Sequence, residues 1–177
     1  MKIWNASWTV LCIVFAFANL SPAQAQTQAQ GAQNEGTRHG DWLHSCRTPK
    51  DKPEVCLLVQ KVSRKVGDKN QVLMSTVVRH LGPEKKLGFV FTLPLGLRLP
   101  PGLELRVDDK GPTQTIPYQI CYQVGCQAWF VLDDAWLARL KAGLKATVKV
   151  RNRSGRVLTV PMSLKGLTAG IRAINAG

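Results

Sequence analysis

Acidic residues are scarce in this chain: 11 Asp and Glu stand against 24 Lys and Arg, a formal balance of +13. Asp108-Asp109 fall in a turn and Asp133-Asp134 at a helix start, where local hydrogen bonding and the helix dipole account for them, so no carboxylate pair for glycoside hydrolysis is supported. Histidine is scarcer still. His39 lies at the edge of a polar leader, and His44 and His80 fall in strand-like runs without a ligand-spaced partner, which reads as structural or exposed histidine. The chain lacks G-x-S-x-G, a phosphate loop, G-x-G-x-x-G, H-E-x-x-H and C-x-x-C. The expectation is therefore no catalytic residue, no metal and no cofactor. Long apolar runs are missing too: the longest, Trp8 to Leu20, falls short of the about 20 residues that cross a bilayer.

What is present begins with an address. Met1-Lys2, the apolar stretch and the A-x-A site at Ala23-Gln24-Ala25 form a secretory signal peptide over residues 1–25. Cleavage after Ala25 removes Cys12, and an odd five cysteines become an even four: Cys46, Cys56, Cys121 and Cys126. In an oxidising compartment an even count favours disulfides. Four cysteines allow three connectivities, of which local pairing is preferred because each local pair can be bridged across a hairpin or short loop. A four-thiolate zinc site is disfavoured, since nine residues separate Cys46 from Cys56 where a knuckle has two to four.

Residues 26–37 are Gln, Ala and Gly with almost no large apolar side chain, a flexible leader that cannot bury a core. From there residues 38–177 read as one domain. Short runs rich in Val, Leu, Ile and Phe alternate with Gly, Pro, Asn and Asp, the spacing of β-rich folds. Val55–Val66 and Val72–Arg79 flank Gly67-Asp68-Lys69-Asn70 as a hairpin. Leu87–Leu93 is a further strand, Leu103–Val107 alternates with period two, and Ile116–Ile120 and Gln127–Leu132 flank the second cysteine pair. Ala146–Arg151 and Arg156–Val160 face each other across Asn152-Arg153-Ser154-Gly155. Asp133 caps a short helix running to Ala142 with Gly143 as its stop, and Leu167, Ile171 and Ile174 recur at helical spacing. The fold expected is all-β, a single disulfide-stapled β-sandwich or barrel-like domain with one or two short helices. Trp42, Trp129 and Trp136 are read as core anchors.

The positive charge survives processing, because loss of Lys2 lowers +13 only to +12. Such a surface meets anions. Arg151, Arg153 and Arg156 gather at one expected turn, with Lys145 and Lys149 on the strand before it, and these five are the candidate anion-binding residues. Solvated strand edges are the alternative, since Lys and Arg discourage edge-to-edge pairing. Export removes the ordinary nucleic-acid targets of a basic chain, and no nucleic-acid-binding motif is present.

Several segments, in order along the chain, resemble one family. They are Asp41-Trp42 leading to Cys46 and Cys56, the run Thr92-Leu93-Pro94-Leu95-Gly96 to Pro100-Pro101-Gly102-Leu103, Ile116 to Cys121 with Gly125-Cys126-Gln127-Ala128, and Val160 to Leu167. Together they resemble the invasion-associated locus B family of exported, β-rich proteins of Gram-negative bacteria. The resemblance implies disulfides Cys46/Cys56 and Cys121/Cys126, a place in the periplasm, with the outer membrane or secreted, and no established catalytic residue. Host-cell invasion enters only as a family label. The reading that follows is a non-catalytic envelope protein binding an anionic envelope component or an outer-membrane protein, with peripheral membrane association compatible. An enzyme acting on an envelope polymer is the alternative, and a cleft holding His44 or His80 beside a carboxylate would favour it.

Overall fold

The computed structural model describes residues 36–176. The signal peptide read at 1–25 lies outside the described residues, as does all of the leader except Gly36 and Thr37. Eleven strands and two helices follow: β1 (Thr37–His39), β2 (Trp42–Arg47), β3 (Val55–Val66), β4 (Lys69–Leu81), β5 (Lys86–Leu93), β6 (Leu103–Val107), β7 (Lys110–Ile116), β8 (Tyr118–Tyr122), β9 (Gly125–Val131), α1 (Asp134–Ala142), β10 (Lys145–Arg151), β11 (Val157–Ser163) and α2 (Leu167–Asn175).

All pairings are antiparallel. They make a seven-stranded sheet of order β1-β2-β3-β4-β5-β9-β8 and a four-stranded sheet of order β11-β10-β6-β7. Neither sheet closes on itself, so the domain is a sandwich rather than a barrel. Both outer strands of the smaller sheet carry a proline, Pro112 in β7 and Pro161 in β11, where a missing N–H breaks no ladder.

Period-two alternation decides what lies between the sheets. Leu58, Met74, Val78, Phe89 and Phe91 from the larger sheet are buried with Leu103, Leu105, Val148, Val160 and Met162 from the smaller. Trp42 meets Phe89 edge-on at 6.1 Å between ring centroids, and Trp136 meets Phe130 edge-on at the same distance. Trp129 is different. In register it faces Val90, on the opposite side of the sheet from Ala128 and Phe130, and is 37% exposed. The expected core role is therefore corrected: its parity along β9 points it to solvent.

The helices add Trp136, Leu140, Leu167, Ile171 and Ile174 to the core. Asp133 caps α1 by accepting a hydrogen bond from the Trp136 N–H at 2.7 Å, and Gly143 follows its last turn. α2 lays Leu167, Ile171 and Ile174 against β1, β2 and β3. Gly170 permits that approach, since a Cβ there would stand 2.5 Å from a Leu58 methyl.

Both disulfides form between the locally paired cysteines, Cys46–Cys56 and Cys121–Cys126. Each joins residues directly opposite one another on neighbouring strands, β2 with β3 and β8 with β9.

Candidate functional site

Alternation along β10 sends Ala146, Val148 and Val150 into the core and Lys145, Thr147, Lys149 and Arg151 to the outer face of the smaller sheet. The five candidate cations then separate. Lys145 begins the strand and Arg151 ends it, about 20 Å apart at the rise of a β-strand.

Lys145 is held at the far end. The two-residue turn Asp108-Asp109, both with positive φ (48° and 54°), delivers two carboxylates to β10. Asp108 accepts from the backbone N–H of Leu144 and of Lys145, both within 3.1 Å of its Oδ1. Asp109 accepts from the Thr147 hydroxyl at 2.8 Å and from Lys145 Nζ at 2.7 Å. The hydrogen bond from Lys145 comes first, and with that from Thr147 it holds the Asp109 carboxyl below its ordinary value, while the same contact raises Lys145. Lys145 is thus already neutralised by its neighbour.

At the other end no such ion pair forms among the described residues. Asn152 organises the β10–β11 turn with its side-chain oxygen, which accepts from the Arg156 N–H at 2.9 Å and from the Ser154 hydroxyl at 2.8 Å. Gly155 completes the reversal with φ +85°. The turn presents Arg151, Arg153 and Arg156 to solvent. A fourth arginine arrives from elsewhere in the chain. Leu97 bridges to Asn152, and the Arg98 N–H donates to the Arg151 carbonyl at 2.9 Å. Its guanidinium reaches Gly155, where a Cβ would stand 3.3 Å from Arg98 Nη1.

Arg98, Arg151, Arg153 and Arg156 therefore gather at one edge, and none takes part in an ion pair among the described residues. Lys149 stands next along β10, opposite Glu104 of β6, beside a cavity of about 160 Å³ that Arg151 and Val157 also line. Exposed Leu95, Leu99 and Val157 share this end of the molecule, giving it apolar as well as cationic character. Sequence reading missed Arg98 because 52 residues of chain separate it from Arg151. The proline-rich run around it was the available signal.

The histidines fall in other places. His44 Nε2 lies 3.4 Å from Cys46 Sγ, and a ring nitrogen and two sulfurs come within 4.8 Å of one another at His44, Cys46 and Cys56. The sulfurs there are bonded to each other and are not thiolate ligands. His80 lines a separate cleft of about 620 Å³ together with Glu54, Cys56, Arg79 and Asn175. No hydrogen bond joins His80 to Glu54 among the described residues.

These features define a class: a disulfide-stapled antiparallel β-sandwich whose exposed turn concentrates arginine. The chain belongs to the invasion associated locus B (IalB) protein family, whose model matches residues 42–175. It is 30% identical over 172 residues to an invasion protein B homolog of Brucella abortus (strain 2308), an alignment spanning 96% of this chain and 92% of that one. Invasion protein B of Bartonella bacilliformis is 27% identical over 133 residues, 72% of this chain and 69% of the relative. The crystal structure of invasion associated protein b from Bartonella henselae superposes with a TM-score of 0.68 at 21% identity, covering 80% of this chain and 96% of that one, and so shares the fold.

Proposed function

We propose that this family member is an exported, non-catalytic envelope protein that binds a phosphate-bearing envelope component through the turn formed by Arg98, Arg151, Arg153 and Arg156. The observation carrying this reading is that two distant segments bring four arginines to one exposed edge, with no carboxylate among the described residues in an ion pair with any of them. Guanidinium groups in such an arrangement donate paired hydrogen bonds to phosphate oxygens in bidentate fashion. The adjoining Leu95 and Leu99 suit an amphiphile, which points to lipopolysaccharide phosphates with the attached acyl region.

Binding of the chain from Gln26 onward to purified lipopolysaccharide tests this. Affinity should fall steeply with salt, and Arg153→Gln with Arg156→Gln should weaken it about tenfold. Equal affinity in the double variant, or salt-insensitive binding, would refute the assignment. Cross-linking in intact cells to an outer-membrane protein through these arginines would replace the lipid by a protein partner.

A second reading has one supporting observation, the cleft that His80 and Glu54 both line. It would make the protein an enzyme acting on an envelope polymer, with the histidine as general acid or base. Release of soluble fragments from envelope polymer, abolished by His80→Ala, would establish it.

A further inference from the structure

The outer face of the seven-stranded sheet departs from what a solvated antiparallel sheet normally shows. Such a face alternates to polar residues, while here the register lays one row across six strands: Arg38, Leu43, Val59, Val77, Val90 and Trp129. Residues directly opposite one another project to the same side, so five apolar side chains stand in line behind one arginine. The rows on either side extend the surface, with Leu57 and Val131 in one and Ile120 in the other. Trp129, Val131 and Ile120 are 37%, 46% and 40% exposed, so the apolar area opens toward the β9–β8 edge. The smaller sheet and both helices pack on the opposite face, against Leu58, Phe89 and their neighbours.

The backbone of Trp129 is fixed by a side chain. Gln119 sits at the bulge between Tyr118 and Ile120, accepts from the Trp129 N–H at 2.9 Å and donates to its carbonyl at 3.1 Å. The indole is therefore carried at a rigid point of the sheet, not on a loop.

Within these three rows the ionic groups are Arg38, Lys61 and Arg79, and no Asp or Glu falls among them. The neighbouring carboxylates stand at the borders, Asp41 in a cleft with Arg38 and Lys61 and Glu54 in another with Arg79. A second copy meeting this surface face to face would bring like charges together, which opposes a symmetric dimer. Three valines of equal length, Val59, Val77 and Val90, form the middle of the stripe. An apolar stripe with tryptophan at one end and cations along its borders matches the boundary between headgroups and acyl chains of an anionic bilayer.

We propose that this sheet face is a membrane-seating surface for anionic phospholipid, with Trp129 entering the headgroup boundary and Arg38, Lys61 and Arg79 meeting lipid phosphates. It is separate from the arginine turn and does not depend on the function proposed for that turn.

The test uses the chain from Gln26 onward, which keeps the whole core, and vesicles containing phosphatidylglycerol with brominated acyl chains. Trp42 and Trp136 are buried, so quenching of emission reports Trp129. Anionic vesicles should bind about tenfold more tightly than phosphatidylcholine vesicles and should quench emission. Trp129→Phe should abolish the quenching and leave binding within about twofold. Val77→Glu and, at a more exposed site, Val131→Glu should each weaken binding about tenfold while circular dichroism stays unchanged. Arg153→Gln with Arg156→Gln should leave vesicle binding and quenching intact, which separates this surface from the turn. Equal binding to both lipids, quenching that persists in Trp129→Phe, or full binding by the glutamate variants would overturn the proposal. So would a dimer in solution that shields Trp129 from an aqueous quencher before lipid is added.

Discussion

The buried side chain of Gln60 pairs with the backbone of Ser163 as another strand would. Its Nε2 donates to the Ser163 carbonyl at 3.0 Å, and its Oε1 accepts from the Ser163 N–H at 2.9 Å. Gln60 lies on β3 of the larger sheet and Ser163 ends β11 of the smaller. Trp42 Nε1 reaches the same carbonyl at 3.1 Å, and the Ser163 hydroxyl donates to Asp41. One residue is thus the seam between the two sheets.

Gln60→Leu is expected to destabilise the domain by about 2–3 kcal/mol, because it leaves the Ser163 N–H without its partner in a buried place. Urea unfolding followed by circular dichroism checks this as a lowered midpoint at unchanged slope.

Two buried hydroxyls, those of Thr76 and Tyr118, have no hydrogen-bond partner among the described residues. Removing each with a closely matched side chain, Thr76→Val or Tyr118→Phe, should raise stability by about 1 kcal/mol. The same burial pushes the Tyr118 phenol up to about 12 from its ordinary 10.0. The unfolded chain then loses this proton first, so stability is full below pH 10.0 and falls as pH rises toward 12. Absorbance titration of the wild type against Tyr118→Phe should show one late-ionising phenol.

For Asp109 the sign is reversed. Its carboxyl is lowered from 3.8 by Lys145 and Thr147, so its stabilising contribution is present above that value and disappears as pH falls through the folded one. Side-chain nuclear magnetic resonance titration should show Asp109 ionising below 3.8, and Thr147→Val should move its midpoint upward.

Loop closure predicts unequal contributions from the two disulfides. Cys46 and Cys56 are 10 apart and Cys121 and Cys126 are 5 apart. Replacing either pair by alanine should cost about 2–3 kcal/mol, with the first pair the more costly by roughly 0.5 kcal/mol. Thermal unfolding of the two double variants compares them directly.

Elements governed by local rules were legible from the chain. The helix from Asp133 to Gly143 needed only a cap, a stripe and a stop, and the β3–β4 and β10–β11 hairpins announced themselves by turn residues between apolar runs. Where pairing overrode composition, the reading failed. Asp108-Asp109-Lys110-Gly111 reads as a turn from its composition, yet Lys110 and Gly111 already belong to β7, because an outer strand tolerates glycine there and Pro112 after it. Trp129 was placed inside by its size, while the parity of β9 turned it outward. Of the candidate site, Arg151, Arg153 and Arg156 were foreseeable from adjacency. Lys145 was separated by Asp109, and Arg98 was joined to the group by a bridge between distant segments. Both outcomes depend on register, which a single sequence does not specify.

The two disulfides and the Ser163 seam respond to different insults. Each covalent link ties a strand to its immediate neighbour within the larger sheet, so a reductant removes one cross-link between β2 and β3 and one between β8 and β9, and breaks no bond between the two layers. Between the layers stand the shared apolar core and the hydrogen bonds that Gln60, Trp42 and Asp41 make with Ser163, none of which responds to thiols. A molecule built this way tolerates loss of oxidising conditions by loosening along its flanks first, while the layer-to-layer attachment persists.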